Sequence, residues 1–299
     1  MTRGKVSGSL AVLDATGCVG SAMVAAAVAV GRSVIAVARD PVALAALREC
    51  HAGHDVVTVT ATLTSDDAAA ALAAQLHDLG RPVSGAIAAI CGDLERGRVL
   101  DAPADVLRRR LDEDLLPHLF AARHLLPLLA AASGHGHRGG YVLIGGPGAD
   151  RPWAGYGHRS IAAAALRMLA RVLHEEARAY PLRVQLLAID SPLRTDDNAR
   201  HACSAWPHVE AIARRAVRMA GGDAGRSDAI VRYPGRDAPA AIGDDDIDGD
   251  DHGIRDPTPD NTAQKTDSDT VATAQTSLHD ARDLLRAIAN APRIQETSP

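Results

Sequence analysis

Two short runs of this chain have residue types and spacings that can do chemistry. The first is Asp14-Ala15-Thr16-Gly17-Cys18-Val19-Gly20, which follows a short apolar run and opens an Ala-rich one. Glycines in a strand-to-helix turn let the backbone approach a ligand closely. The free N–H groups and dipole at the helix start favour negative charge, so the run reads as a cradle for a pyrophosphate. Such a turn also uses glycine for geometry alone, and Asp14, where the first glycine of the usual triplet would be, brings a carboxylate that repels phosphate unless turned away. The second run is Tyr156 with Ser160, four residues apart and therefore on one helix face. A phenol can exchange a proton with a substrate oxygen, but tyrosine ordinarily ionises near pH ~10, so a neighbouring cation is needed for the phenolate to be accessible near neutrality. Ser160 supplies a hydroxyl and no charge. His158 and Arg159 are the basic side chains nearby, and Arg159 at i+3 is the nearer to the face of Tyr156.

These residues need a scaffold that presents loops at one edge of a sheet. Short β-branched runs at 10–13, 33–38, 55–60, 83–90, 141–144 and 183–189 alternate with Ala/Leu-rich runs at 21–30, 41–50, 65–79, 104–132 and 156–180. That is the pattern of parallel strands buried on both faces and joined by crossover helices. Asp40 before Pro41, and Ser65 before Asp66 and Asp67, are helix-start signals. A further helix at 207–220 and a short strand at 229–233 complete the pattern. The fold class expected is a Rossmann-type α/β domain, a doubly wound parallel sheet in a three-layer sandwich over residues 1–235. Arg39 then falls at the end of the second strand, where a basic side chain accommodates a ribose 2′-phosphate. That placement points to NADP, with NAD open, against the alternative that Arg39 only solvates a strand end.

Composition excludes several other readings. Aromatic residues make up 2% of the 299 residues and the formal net charge is −5, so neither base stacking nor a phosphate-neutralising surface is expected, and no nucleic-acid partner with it. Cys18, Cys50, Cys91 and Cys203 have no paired spacing and read as reduced thiols. His51 with His54, and His135 with His137, lie in Gly-containing loops without a completing ligand set, so no metal is expected. No Gly-x-Ser-x-Gly elbow is present for a hydrolase. The Ala-rich stretch 22–30 is too short to span a bilayer and the N-terminus lacks a cleavage signal, so a cytoplasmic protein without a membrane segment is expected. From 236 to 299 the sequence turns acidic and poor in large apolar residues, and it reads as a largely disordered tail. Within it, 277–290 has the spacing of a short amphipathic helix.

From about residue 9 to residue 233 the chain resembles the short-chain dehydrogenase/reductase family. The resemblance rests on the turn 14–20, on Ile90-Cys91-Gly92 after the fourth strand, on Asp114 in the long helix, on Tyr156 at the head of the next helix and on Ile189-Asp190 with Thr195 after the sixth strand. It implies cofactor contacts at Thr16, Gly17, Val19, Gly20, Arg39, Leu63, Gly92 and Thr195, and catalytic roles for Tyr156 and Ser160. The family pattern has a Ser where this chain has Gly145-Gly146, a Lys at Ser160, an Asn at Asp114 and a Pro-Gly at Ile189-Asp190.

Two functions follow as expectations. One is an atypical NAD(P)-dependent oxidoreductase acting on a small carbonyl or alcohol. The other is a catalytically inactive dinucleotide sensor or partner subunit. The helices at 104–132 and 156–180 are apolar around much of their circumference, so a homodimer or homotetramer is also expected. Residues 196–207, which would shape a substrate pocket, are polar apart from Trp206 and name no substrate.

Overall fold

Every residue of the first two strands, β1 (Ser9–Leu13) and β2 (Val34–Ala38), is buried, as a strand covered on both faces requires. In the computed structural model, which describes residues 8–92, 95–133, 138–221 and 228–233, they are joined through α1 (Cys18–Ala29) and followed by α2 (Pro41–Cys50). The order continues β3 (Val56–Thr60), α3 (Asp66–Asp78), β4 (Val83–Ala88), α4 (Ala104–Asp114), α5 (Leu116–Ala132), β5 (Gly139–Gly145), α6 (Gly157–Glu176), β6 (Leu182–Ala188), α7 (Val209–Ala220) and β7 (Ile230–Arg232). The seven strands form one parallel sheet in the order β3-β2-β1-β4-β5-β6-β7. This is the doubly wound, three-layer Rossmann arrangement expected. All described residues fall in the first of two units of the chain, Met1–Ala240. The acidic tail and its helix at 277–290 lie outside the described residues.

The period of two along each strand builds two cores. Leu10 and Val12 of β1 face one side with Met23 and Ala27 of α1, Leu44 of α2, and Ile212 and Ala216 of α7. Ala11 and Leu13 face the other with Leu72 of α3, Leu125 and Leu129 of α5, and Leu166 and Ala170 of α6. Small residues let these layers approach closely. A Cβ on Gly140 would stand 2.7 Å from the carbonyl oxygen of Ala220, where the end of α7 presses on the sheet. The caps read from sequence are present: Asp40 accepts from the amides of Val42 (2.9 Å) and Ala43 (3.3 Å), and Ser65 from that of Ala68 (3.2 Å).

The expected helix at 104–132 is two helices. Leu115, at φ −120° and ψ −57°, separates α4 from α5, and Pro117 in the first turn of α5 supplies the reason. It has no N–H to continue the ladder from the last turn of α4. By length and composition alone, residues 104–132 and not the Ala-rich stretch 22–30 are long and apolar enough to cross a membrane. In this fold the stretch is broken at Leu115, and α5 lays Ala121, Ala122, Leu125 and Leu129 against the sheet.

A charged cluster fastens the sheet's far edge. The buried Arg167 of α6 bonds to Asp150, which precedes α6, and to Asp190 (3.1 Å), which follows β6. Arg232 of β7 closes the square on Asp150 and on Asp190 (2.8 Å). Asp190, which stands in place of the family's Pro-Gly, is thus a bridging carboxylate.

Candidate functional site

The connections after β1 and β4 leave in opposite directions, since β1 is followed toward β2 and β4 toward β5. A crevice therefore opens at the carboxyl ends of these two strands, where doubly wound sheets take their ligands. On the β1 side lies the turn 14–20. Asp14 has φ +59° and is the non-glycine residue with positive φ among those described, which is the backbone state that favours glycine at that place. The close approach comes at Gly20, where a Cβ would run into the Asp14 carbonyl oxygen and stand 2.8 Å from the Ala15 Cα. No side chain fits there. Gly17 heads α1 without a side-chain cap and without acidic residues in the first turn, although the Asp14 carboxylate is not turned away from it: Oδ2 lies 3.3 Å from where a Gly17 Cβ would stand. Thr16 and Val19 are half-buried beside it.

Burial pushes the Asp14 carboxyl above the usual carboxylate range, and Arg39 pulls it back in part. Arg39 is exposed at the end of β2 and makes no ion pair within 4 Å among the described residues. The neighbouring Asp40 is spent on capping α2, so Arg39-Asp40 presents a free cation and no free anion. Leu63, after β3, is half-buried against the core.

On the β4 side the crevice deepens into a cleft of about 300 Å³, to which Val19, Ile90, Gly145, Ile189 and Leu193 contribute. The turn after β4 is held at Gly92, whose N–H donates to Asp114 Oδ1 at 2.7 Å and whose carbonyl accepts from Arg159 Nη1 at 3.3 Å. Arg159 also donates to Cys91 Sγ at 2.7 Å, and its guanidinium lines the cleft. Burial works against its charge, but Cys91, Asp114 and Tyr156 outweigh it and hold the pKa above the ordinary arginine value. Arg159, one residue before position 160, thus places a cationic side chain in the lining of the cleft. His118 of α5 is fully buried with Nε2 3.2 Å from the Ile90 carbonyl, and burial brings its pKa down to about 4.

The structure ties Ser160 to the backbone of Tyr156 and leaves its hydroxyl out of the cleft lining. Ser160 is buried, accepts from the Trp153 amide (2.9 Å) and donates to the Tyr156 carbonyl (3.0 Å), so its hydroxyl fastens the preceding turn to α6 instead of facing the cleft. Tyr156 stacks on Trp153 with ring centroids 4.2 Å apart, and the Arg96 guanidinium lies 5.5 Å from its centroid. Trp153 lines the cleft, and Tyr156 packs on it without itself being among the lining residues. Gly145 and Gly146 present no hydroxyl. A Cβ on Gly146 would meet nothing within 4 Å, so the space for a side chain exists there. Thr195 is tied into its own turn: its N–H donates to Asn198 Oδ1 (2.9 Å) and its Oγ1 accepts from the Asn198 amide (3.3 Å). Asn198 lines the cleft in its stead. Sequence reasoning missed Trp153, Cys91 and Asn198 because nothing in their spacing sets them apart, whereas the i+3 position of Arg159 was a usable signal.

All four cysteines are free and exposed. No group of three potential metal ligands occurs among the described residues, and His135 and His137 lie outside them.

No protein-family model matches the sequence, and no curated protein does. Solved structures do. A short-chain type dehydrogenase/reductase from Mycobacterium ulcerans superposes with a TM-score of 0.66 at 20% identity, over 75% of this chain and 86% of that one. A short-chain oxidoreductase from Pseudomonas aeruginosa, solved with NADPH and containing an atypical catalytic centre, gives a TM-score of 0.66 at 17% identity over 78% and 98% of the two chains. The chain has the short-chain dehydrogenase/reductase fold. L-sorbose reductase from Gluconobacter frateurii, complexed with NADPH and L-sorbose, shares that fold at a TM-score of 0.65 and 16% identity, over 76% and 94% of the chains.

Proposed function

We propose that this protein is an NADP-dependent oxidoreductase of the short-chain dehydrogenase/reductase family, acting on a small carbonyl or alcohol. The observation that carries the proposal is the crevice at the β1/β4 switch point, with an uncapped helix start on one wall and an apolar cleft bearing Arg159 on the other. The residues present fit a dinucleotide. Gly17 to Gly20 would take the pyrophosphate, Arg39 the 2′-phosphate, and Leu63 and Gly92 lie along the same edge. When bound, the nucleotide supplies or accepts the hydride. Tyr156 holds the proton that passes to or from the substrate oxygen, and Arg159 provides positive charge close by. The fold neighbours solved with NADPH support this choice of cofactor.

The test is calorimetric titration with NADPH and with NADH, followed by turnover of a carbonyl panel by the wild type and Tyr156→Phe. Micromolar NADPH binding with weaker NADH, and a turnover lost in Tyr156→Phe, are expected. Absence of binding by either nucleotide overturns the proposal, and unchanged turnover removes Tyr156 as the proton donor. A second reading, a dinucleotide-binding partner subunit without chemistry, is favoured by one observation: the hydroxyl of Ser160 is consumed by backbone and Gly145-Gly146 offers none.

We also propose a homo-oligomer formed through α5 and α6. Ile161, Met168 and Val172 are exposed on α6 and Leu119 on α5. A groove of about 420 Å³, lined by Leu119, Leu126 and Leu173 with Arg123 and Glu176, adds apolar surface with both signs of charge that a second copy can meet. Light scattering is expected to give a multiple of the chain mass, reduced to a monomer by Met168→Asp with Val172→Glu.

A further inference from the structure

Arg159 is the one cation among the described residues that line the cleft, and Asp114 the one anion. The two do not neutralise each other by contact. Asp114 gives Oδ1 to the Gly92 amide, and its Oδ2 faces the buried Arg110 at 3.7 Å, within a group that also holds Glu113 (3.0 Å) and Glu95 (3.4 Å). Arg159 has no carboxylate within 4 Å among the described residues. Its partners are the neutral carbonyl of Gly92 and the sulfur of Cys91. A half-buried guanidinium bonded only to a carbonyl and a sulfur, with Asp114 acting on it at a distance beyond direct contact, keeps donors to spare, and a carboxylate takes these up through paired N–H···O bonds. The rest of the cleft is apolar, with Ile90, Ile144, Leu166, Ile189 and Leu193 around it.

From this arrangement we propose that Arg159 anchors the carboxylate of an aliphatic 2-oxo or 2-hydroxy acid, with the alkyl tail against the isoleucine and leucine wall. The proposal rests on the oxidoreductase reading for its chemistry. On reduction the carbonyl carbon gains a hydride, the carbonyl π pair moves to oxygen, and oxygen takes a proton from Tyr156, so that the oxo acid becomes a hydroxy acid as the nucleotide is oxidised. The same guanidinium charge would suit a cofactor phosphate, and the experiment separates the two sources.

The probes are 4-methyl-2-oxopentanoate and its methyl ester, titrated by calorimetry into the full chain with and without NADPH, for the wild type, Arg159→Lys and Arg159→Gln. Melting curves check that each variant folds. The expected result is binding of the acid at least tenfold tighter than the ester, weakened in Arg159→Lys and abolished as a preference in Arg159→Gln, with NADPH affinity unchanged within about twofold. Equal binding of acid and ester, or binding of neither, overturns the proposal. So does a tenfold loss of NADPH affinity in Arg159→Gln, which assigns the guanidinium to the cofactor. An Arg159-dependent preference for the acid in a protein that binds no nucleotide upholds the anion site and removes the oxidoreductase reading alone.

Discussion

The amide of Gly92 donates to the carboxylate of Asp114 at 2.7 Å, which pins the turn after β4 to the break between α4 and α5. Asp114→Asn keeps an acceptor for that amide and removes only charge, so it is expected to cost less than about 1 kcal/mol, while Asp114→Ala leaves the N–H unpaired and costs about 1–3 kcal/mol. Urea denaturation of both variants reads the difference. Equal losses would mean that charge opposite Arg110, and not the hydrogen bond, holds the turn.

Asp14 occupies a left-handed backbone state that glycine adopts freely. Asp14→Gly is expected to stabilise the chain by about 1 kcal/mol and raise the melting temperature by a few degrees. It also removes a carboxylate from the edge of the phosphate turn, so NADPH should bind more tightly than to the wild type. Gly20→Ala, by contrast, meets backbone and is expected to cost about 3 kcal/mol or more. A stable Gly20→Ala protein with unchanged NADPH affinity would contradict the close packing of the turn.

His118 is neutral in the folded chain because burial outweighs its bond to the Ile90 carbonyl and brings its pKa to about 4. An unfolded histidine titrates near ~6.5. Between those values the unfolded chain binds a proton that the folded chain does not, so this contribution to stability is full above pH ~6.5 and falls as the pH drops toward 4, by about 3 kcal/mol in all. His118→Gln should flatten the slope of urea midpoints between pH 7 and 4.5. A slope identical to the wild type would place the sensitivity in other groups.

Gly146, one of the two glycines that the sequence resemblance sets at the family's carbonyl-polarising Ser, has open space for a side chain. Gly146→Ser is expected to fold with a melting temperature close to the wild type and to raise kcat for an accepted substrate by about tenfold or more. A rise in kcat without change in NADPH affinity would place the hydroxyl at the reacting oxygen, and no rise would show that polarisation is already supplied.

Arg167 is buried between two half-exposed carboxylates, whereas Arg232 is more than half exposed. Arg167→Ala is expected to cost about 2–4 kcal/mol by leaving Asp150 and Asp190 together without their inner cation. Arg232→Ala should cost under about 1 kcal/mol. Comparable losses from both would contradict the difference in burial.

The sheet and its helices were legible because periodicity reports burial, and each strand expected at 10–13, 33–38, 55–60, 83–90, 141–144, 183–189 and 229–233 is present within a few residues. The break at Leu115 went unread because the Leu/Ala pattern runs through it, and Pro117 acts on backbone geometry that a hydrophobic pattern does not register. At the site, the turn 14–20 and the departures at 145–146 and 160 were readable from residue type. For Arg159 the i+3 spacing was legible but its partners were not, because they depend on which way a long side chain turns and on a sulfur and a carbonyl brought from residues 91 and 92. Ser160 shows the converse: a position matched in sequence, whose short hydroxyl finds backbone partners before it reaches the cleft.

The square of Asp150, Arg167, Asp190 and Arg232 joins the loop after β5, helix α6, the end of β6 and the three-residue edge strand β7. The inner walls of the cleft are apolar, while this outer fastening is ionic and partly open to solvent. Mobile ions weaken the second kind of contact and leave the first nearly untouched. Ionic strength therefore acts on this edge of the sheet, through the exposed Arg232 more than the buried Arg167, while leaving the apolar layers beneath it nearly unchanged.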